Sequence, residues 1–287
     1  MGMDGGAIES RQADQQIGEL LLQQGKLSRA EIGDVLAVAR RDQLRFGEAA
    51  IRLGLLSEDE LLTALSQQFA YPVLEPGSSP LHPSLVVAYQ PHSAAAETWR
   101  GLRTQLRQRW FTGERRLLAL CAPDAGDGCS AAAANLAIAF AQLGEKTLLI
   151  DCDLRTPAQR DLFGLAPGPG VSGLLAGRCS ARDAITPIGA IPGLSLLGAG
   201  APPPNPQELL GKSQFRDLLT RLGTLYSVVI VDTPPASASA DTQSIAAVAG
   251  GALLIGRRHH TRLDGLQQLK DTLLPGGIAI VGAVVRD

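Results

Sequence analysis

The chain has 287 residues and a formal net charge of −2, and 45% of its residues are hydrophobic, so it can bury a sizeable core in one or two domains. The slightly negative charge argues against a nucleic-acid polymer as partner, and the apolar runs are too short or too interrupted to span a membrane. Its 4 cysteines lack metal-site spacing and suit reduced thiols in a cytoplasm.

Composition divides the chain into four parts. Residues 1–15 are polar and predict disorder. Residues 16–71 predict a small domain of short amphipathic helices, and the proline-bearing residues 72–93 predict a linker. From 94 to 287, apolar strands alternate with helical patterns, which is typical of an α/β domain with a mostly parallel, doubly wound sheet.

The predicted helical domain contains an internal repeat, with copies at 16–39 and 45–68. Each copy has a serine followed by a glutamate at the third position after it. These pairs, Ser28 with Glu31 and Ser57 with Glu60, predict capping boxes at helix starts. A repeat of this size indicates two helical hairpins packed on each other.

The repeat resembles the N-terminal domain of type II secretion ATPases of the MshE kind, whose members bind cyclic di-GMP. The resemblance implies contacts to this ligand from Arg45, Gly47, Gly54 and Gln68 of the second copy. The first copy has Gln16 in place of the arginine, and losing one of two arginine forks should weaken binding to a phosphate or a guanine edge. A purely structural helical adaptor is the alternative interpretation.

A strand, a glycine-bearing turn and a helix are predicted between residues 117 and 143. The apolar run Leu117–Cys121 predicts a buried strand, and Ser130 is predicted to open an alanine-rich helix. Between them, Gly126 and Gly128 let backbone N–H groups approach an anion at the positive end of the helix dipole. This stretch favours a phosphate site, and a tight turn before a packed helix is the alternative.

The turn departs from the P-loop pattern G-x-x-x-x-G-K-[ST] at two positions. Pro123 stands in place of the first glycine and Cys129 in place of the lysine. Ser130 keeps the place of the hydroxyl that ligates Mg²⁺. Because Cys129 would lie at a helix N-terminus, a modestly lowered thiol pKa is expected, with the charge of Asp127 opposing it.

Two further apolar strands, predicted at 147–150 and 228–231, end in charged residues. These are Asp151, Asp153 and Arg155 after the first, and Asp232 after the second. Open α/β sheets bind ligands at the C-terminal ends of their strands. The acids are therefore expected to hold Mg²⁺ directly or through water; a capped loop with a surface ion pair is the alternative.

The remaining pattern completes the predicted sheet. It gives strands at 194–197, 253–255 and 278–285, and helices at 206–222, 241–248 and 262–273. His259 and His260 stand beside Arg257 and Arg258, and we interpret this run as a solvated basic turn.

Four segments resemble the cytoplasmic domain of bacterial tyrosine autokinases of capsule and exopolysaccharide synthesis. They are ETWRGLR, LLIDCDLRTP, PNPQELL and VVIVDTPP. With its N-terminal domain, the whole chain resembles the EpsG type of that family. The resemblance implies a P-loop NTPase-like fold that uses ATP or ADP with Mg²⁺.

The resemblance also implies roles for individual residues. Asp151 and Asp153 would organise Mg²⁺ and the attacking hydroxyl, and Asp232 would hold a metal-bound water. Ser130 would ligate the ion. The nucleotide contacts would come from the glycine turn and one arginine: Gly126, Asp127, Gly128, Cys129, Ser130 and Arg155. Phosphoryl transfer suits such a set, because it needs metal and positioning more than covalent chemistry.

The resemblance implies that the protein assembles with other chains. Three residues, Glu97, Arg100 and Arg103, match the E-x-x-R-x-x-R helix through which family members form rings, so we expect a homo-oligomer. The resemblance implies a cytoplasmic protein, peripheral to the inner membrane through a membrane-embedded chain-length determinant, the polysaccharide co-polymerase. The nucleotide state would then govern ring assembly and polymer length.

Departures from the family pattern leave three hypotheses. Cys129 removes a charge whose loss typically costs roughly 10²–10³ in rate, the tyrosine-rich tail that members phosphorylate is expected to be absent, and Arg286 stands where the family has an asparagine near the adenine. The first hypothesis is a weakened autokinase and ATPase. The second is an inactive pseudokinase scaffold, or a nucleotide- or cyclic di-GMP-sensing subunit. The third, a partitioning ATPase of the ParA or MinD kind, is disfavoured because Asp124 replaces that class's second lysine.

Overall fold

The computed structural model describes residues 17–23, 25–57, 60–61, 64, 74 and 79–286. The chain divides into two units, 1–73 and 74–287, and each is described by itself. The predicted disorder of 1–15, the first part of the predicted linker, and Gln68 lie outside the described residues. Within the described residues, no helix combines the length and apolarity that crossing a membrane requires.

The first unit is helical in its described part. Its helices are α1 (17–23), α2 (Arg29–Asp42) and α3 (Phe46–Arg52). Both predicted capping boxes form: the backbone N–H groups of Ser28 and Ser57 donate to Glu31 and Glu60 at 2.7 and 3.0 Å, and each glutamate N–H donates back to the serine Oγ. Phe46 is fully buried in the apolar core of this unit.

The second unit is built on a seven-stranded sheet with the order β3-β4-β2-β5-β1-β6-β7. Its strands are β1 (Leu117–Cys121), β2 (Thr147–Asp151), β3 (Ile185–Pro187), β4 (Leu194–Leu197), β5 (Val228–Asp232), β6 (Gly251–Arg257) and β7 (Ala279–Arg286). Neighbouring strands are parallel except β3 and β4. The predicted mostly parallel α/β sheet is therefore confirmed, and the antiparallel edge strand β3 was not predicted.

Helices surround this sheet. They are α4 (Val86–Tyr89), α5 (Ala94–Arg109), α6 (Cys129–Gln142), α7 (Gln159–Leu162), α8 (Val171–Leu175), α9 (Ala181–Ala184), α10 (Pro206–Leu210), α11 (Ser213–Leu225), α12 (Asp241–Ala249) and α13 (Leu263–Leu273), followed by a 3₁₀ turn (Leu274–Gly276). The single helix predicted at 206–222 is wrong. The backbone of Lys212 is extended, with ψ of 153°, and it separates α10 from α11.

The described end of the predicted linker, residues 79–93, packs into the second unit. Leu85 and Val87 are fully buried, and the Val87 N–H donates to Asn135 Oδ1 of α6 at 3.1 Å. Asn135 Nδ2 donates in return to the Ser84 carbonyl at 2.9 Å. This part of the chain is therefore not a free linker, because buried hydrogen bonds fix it to the central helix.

Candidate functional site

Three neighbouring strands end at one place in the sheet. β5 lies between β1 and β2, and the register pairs Asp232 of β5 with Leu120 of β1 and Asp151 of β2. Because the strands are parallel, the segments that follow them meet at one edge. The glycine loop, residues 122–128, therefore lies beside both acidic segments.

The glycine loop takes backbone conformations that only glycine adopts readily. Gly126 and Gly128 have φ of +88° and +80°, and a Cβ on Gly128 would collide with the guanidinium of Arg286. Helix α6 begins at Cys129, one residue before the predicted start, with Gly128 as its N-cap. The helix N-terminus thus points its unpaired N–H groups at the site.

Asp127 braces the glycine loop. Its carboxylate is fully buried, and its Oδ2 accepts the Asp124 N–H at 2.9 Å. Its Oδ1 accepts the Thr261 hydroxyl and lies 3.3 Å from His260 Nδ1. His259 and His260 lie in an exposed turn, as predicted. The Asp127 side chain is committed to contacts within the protein.

Cys129 does not behave as the sequence predicts. Its Sγ donates to the Leu120 carbonyl at 3.2 Å, which stabilises the neutral thiol. Burial raises the pKa of this thiol well above its usual range, and the charge of Asp232 is the second cause of the rise. The expected lowering by the helix dipole is overturned, because the side chain turns back into the sheet.

Asp151 is held by backbone donors. Its Oδ1 accepts the Asp153 N–H at 3.1 Å, and its Oδ2 accepts those of Ala158 and Gln159 at 3.1 and 3.0 Å. Burial raises the pKa of Asp151 above its usual range, and the charge of Asp232 is the second cause of the rise. The N–H groups of Gln159 and Asp153 oppose it. Asp151 therefore shapes the loop after β2, and Oδ1 keeps a lone pair for water.

Asp153 and Arg155 lie in the same loop. Asp153 Oδ1 accepts the N–H groups of Arg155 and Thr156 at 3.1 and 2.9 Å, and its Oδ2 accepts the Thr156 hydroxyl at 2.8 Å. Arg155 Nε donates to the buried Asp241 at 3.0 Å. Among the contacts of the described residues, none joins Arg155 to the glycine loop.

Asp232 is another buried acid of the site. Burial raises its pKa to about 6, and bonding to Gln159 and Ser130 opposes the rise. Its Oδ2 accepts Gln159 Nε2 at 2.7 Å. Its Oδ1 is buried and has no hydrogen-bond partner among the described residues. This oxygen is available to a ligand or a water, since an unpaired buried acceptor is costly.

Gln159 was missed by the sequence analysis. It is fully buried, and its Nε2 donates both to Asp232 and to the Ser130 carbonyl, at 2.7 and 3.0 Å. A neutral amide in a short helix gives no pattern to recognise. The available signal was its position shortly after the D-x-D-x-R segment, where its N–H reaches Asp151.

The residues present fit Mg²⁺ held together with a phosphate. In the described part of the chain, no group of three or more His, Cys, Asp or Glu side chains is arranged to bind a metal by itself. Mg²⁺ needs less from the protein, because it keeps waters and binds through one or two carboxylates plus phosphate oxygens. The unpartnered Asp232 Oδ1, Ser130 and Asp151 can provide that minimal set.

The other predicted residues lie elsewhere. On α5, Arg100 bonds Glu97 at 2.9 Å and the Pro91 carbonyl, and Arg103 Nη1 donates to the Ala139 carbonyl at 2.9 Å. In the first unit Arg45 is exposed, and Gly47 stands where a Cβ would collide with Leu61. The structure thus brings together residues 126–130 with Asp151, Asp153 and Asp232.

Several known proteins resemble this chain in sequence or in fold. No family model matches the chain. The tyrosine-protein kinase YwqD of Bacillus subtilis is 32% identical over 203 residues, which cover 71% of this chain and 85% of YwqD. The crystal structure of the chimerical protein CapA2B2 has a TM-score of 0.68 at 32% identity, over 78% of this chain and 97% of that one. The kinase domain of the Escherichia coli tyrosine kinase ETK has a TM-score of 0.67 at 32% identity, over 74% of this chain and 83% of that domain.

Proposed function

Because the chain belongs to the family of bacterial tyrosine-protein kinases, we propose that it binds ATP and ADP with Mg²⁺ at the glycine loop and acts as a weakened tyrosine autokinase of exopolysaccharide synthesis. The observation that supports it most is the buried Asp232 Oδ1, which has no partner among the described residues. It lies where β1, β2 and β5 end, beside the N-terminus of α6.

Each part of the site has a defined task in this proposal. The backbone N–H groups of 126–130 bind the phosphates at the positive end of α6. Ser130, Asp151 and Asp232 hold the ion or its waters, and Asp153 helps to orient the attacking hydroxyl. Mg²⁺, when bound, supplies positive charge to the transferred phosphoryl group.

Cys129 is the reason for proposing weakened catalysis. A neutral thiol bonded to the Leu120 carbonyl cannot neutralise phosphate charge as a lysine does. Losing one preorganised donor typically costs roughly 10²–10³ in rate. ATP binding should therefore be weak and strongly dependent on Mg²⁺.

Titration calorimetry with ATP, with and without Mg²⁺, tests the proposal. For the native chain we expect heat of binding only with Mg²⁺. Cys129→Lys should bind ATP more tightly and transfer phosphate faster. In Asp232→Asn, adding Mg²⁺ should no longer strengthen ATP binding. Cys179→Lys, which changes a cysteine outside the site, is the matched control. No binding by either the native chain or Cys129→Lys, with the fold intact, would refute it.

A pseudokinase scaffold is the second candidate. It is favoured by the tyrosines: the Tyr89 hydroxyl is already bonded to the Leu81 carbonyl at 2.6 Å, Lys146 covers the ring of Tyr226 at 5.0 Å, and Tyr71 lies outside the described residues. Mass spectrometry after incubation with Mg²⁺-ATP separates the two. Binding without phosphotyrosine, even in Cys129→Lys, would favour the scaffold.

We also propose the assembly that the family implies. The protein would form a homo-oligomer through α5 at the cytoplasmic face of the inner membrane, together with a membrane chain-length determinant. The helical unit, of the MshE kind in an EpsG-type protein, would serve as an adaptor that binds cyclic di-GMP weakly. Co-purification with a co-expressed chain-length determinant tests the partnership, and failure of full-length chains to associate would count against it.

A further inference from the structure

The ends of β6 and β7 place arginines beside the glycine loop. Arg257 and Arg286 are register partners at the C-terminal ends of these strands, and β6 neighbours β1, from which the loop departs. Parallel strands bring their C-terminal ends to the same edge, so this basic pair lies at the edge that carries the acids. Sequence reasoning assigned no role to Arg286 beyond replacing an asparagine.

The Arg286 side chain lies directly on the loop. Its Nη1 donates to the Gly128 carbonyl at 3.1 Å. Its guanidinium and Cδ fill the space that a Cβ on residue 128 would need. Gly128 immediately precedes Cys129, the position of the lysine in a P-loop. A permanent cation from another strand therefore stands next to the place where the loop lost its own.

Arg286 carries its charge beside a second arginine. Among the described residues it forms no ion pair with a carboxylate, and the neighbouring Arg257 repels it. Burial lowers the pKa of Arg286, and the repulsion from Arg257 is the second cause. The guanidinium nevertheless remains charged at neutral pH. The repulsion between these two guanidinium groups is relieved when an anion binds close to them.

We infer that Arg286 supplies the positive charge of the missing lysine by donating to the phosphates of the bound nucleotide. One N–H holds the Gly128 carbonyl and fixes the guanidinium, and the remaining N–H groups form a fork suited to phosphate oxygens. This inference rests on the proposed nucleotide function. It assigns the arginine to the phosphates and not to the adenine, which the family's asparagine approaches.

The test compares the binding of Mg²⁺-ADP and Mg²⁺-pyrophosphate by calorimetry in the full chain. Arg286→Gln removes the charge but keeps an amide N–H for the Gly128 carbonyl. It should weaken both ligands by about ten- to a hundredfold, the size of a charged hydrogen bond. Arg286→Lys should stay within about threefold of the native chain. The matched control, Arg262→Gln, removes a charge that is 83% exposed and should change binding less than about twofold.

A double-mutant cycle completes the test. Adding Cys129→Lys to the Arg286→Gln variant should restore ligand binding. The same substitution in the native chain should raise the affinity by less, because the two cations bind the same phosphates. Unchanged or tighter binding by Arg286→Gln, or a loss with ADP but none with pyrophosphate, would overturn the inference while the nucleotide function stands. No ADP binding by the native chain would overturn both.

Discussion

Gln159 Nε2 lies 2.7 Å from Asp232 Oδ2 and 3.0 Å from the Ser130 carbonyl, so one buried amide joins the loop after β2 to the end of β5 and to the first turn of α6. Three segments of the site thus depend on a neutral side chain that itself contacts no solvent. Its removal offers a direct measure of how firmly the site is built.

Gln159→Leu should lower the free energy of unfolding by about 2–4 kcal/mol, because it removes a hydrogen bond to a carboxylate and a second to a carbonyl. Urea denaturation measures the change. Gln142→Leu is the control: Gln142 makes one bond to the Val87 carbonyl at 3.0 Å and should cost about 1 kcal/mol. Equal losses in the two variants would contradict a special role for Gln159.

Asp232→Asn should change the pH dependence of stability in the absence of Mg²⁺. The pKa of Asp232 rises from 3.8 to about 6 in the folded chain, so the folded state holds the proton more tightly than the unfolded state. The group's contribution is favourable below about pH 4 and is lost as the pH rises through about 6. The asparagine variant should therefore be more stable than the native chain at about pH 8, by up to about 3 kcal/mol.

The difference between these two proteins should shrink to near zero at about pH 4. Denaturation in EDTA at both pH values measures it. Asp217→Asn, which removes an exposed carboxylate on α11, should show no such pH-dependent gain. An Asp232→Asn variant that is less stable than the native chain at both pH values would show that the buried charge is compensated by contacts we have not assigned.

Cys129 should react slowly with iodoacetamide. The raised thiol pKa leaves little thiolate at neutral pH, so the rate should keep increasing above about pH 9, where a free cysteine is already half ionised. Peptide mapping by mass spectrometry follows the modification, and the urea-unfolded chain gives the unperturbed rate. Rapid modification at neutral pH with an early plateau would instead support a lowered pKa.

The α5 arginines should control self-association. The double variant Arg100→Ala, Arg103→Ala should be a monomer in light scattering. Together with Glu97 these residues recur at every third position of one helix and so share much of one face. Because Arg103 also donates to the Ala139 carbonyl at 2.9 Å, Glu97→Ala is the cleaner variant: the Glu97 side chain is 72% exposed. Arg109→Ala on the same helix is the control. An unchanged mass, starting from a proven oligomer, would reject this interface.

Any binding of cyclic di-GMP by the helical unit should depend on Arg45. Arg45→Ala should abolish the calorimetric signal and Gln16→Arg should raise it, because a second guanidinium fork restores the repeated pattern. Arg41→Ala, whose arginine is engaged with Asp42 at 2.8 Å, is the control. Equal binding by Arg45→Ala would place the ligand elsewhere.

Patterns of apolar residues were sufficient for six of the seven strands of the sheet. β1 and β4 have the predicted bounds because each is a short apolar run between turn residues, and both faces of a parallel sheet are buried. β3 was missed because it is three residues long, contains Pro187 and is only half-buried. Helix 206–222 was predicted as continuous because its apolar spacing persists across Lys212, whose extended backbone the spacing does not show.

The site was predictable where acids or the glycine-bearing turn marked it. The acids stand out after apolar strands, and parallel strands bring them together. The contacts between Thr261 and Asp127, and between Arg286 and Gly128, join residues more than a hundred positions apart, and no local pattern reports them. The Cys129 pKa was predicted from the helix dipole and the opposing charge of Asp127, but the direction of the side chain, toward the Leu120 carbonyl, decided it.

The bonds of Asp127 have a consequence for the kinetics of ligand capture. Thr261 accepts the Arg257 N–H at 2.7 Å and donates to Asp127, so the loop that receives phosphates is tied to the end of β6 before any ligand arrives. A loop ordered during folding loses little conformational entropy on association. Capture by this site is expected to proceed as a single rapid encounter whose rate is limited by diffusion and charge, without a slower rearrangement step.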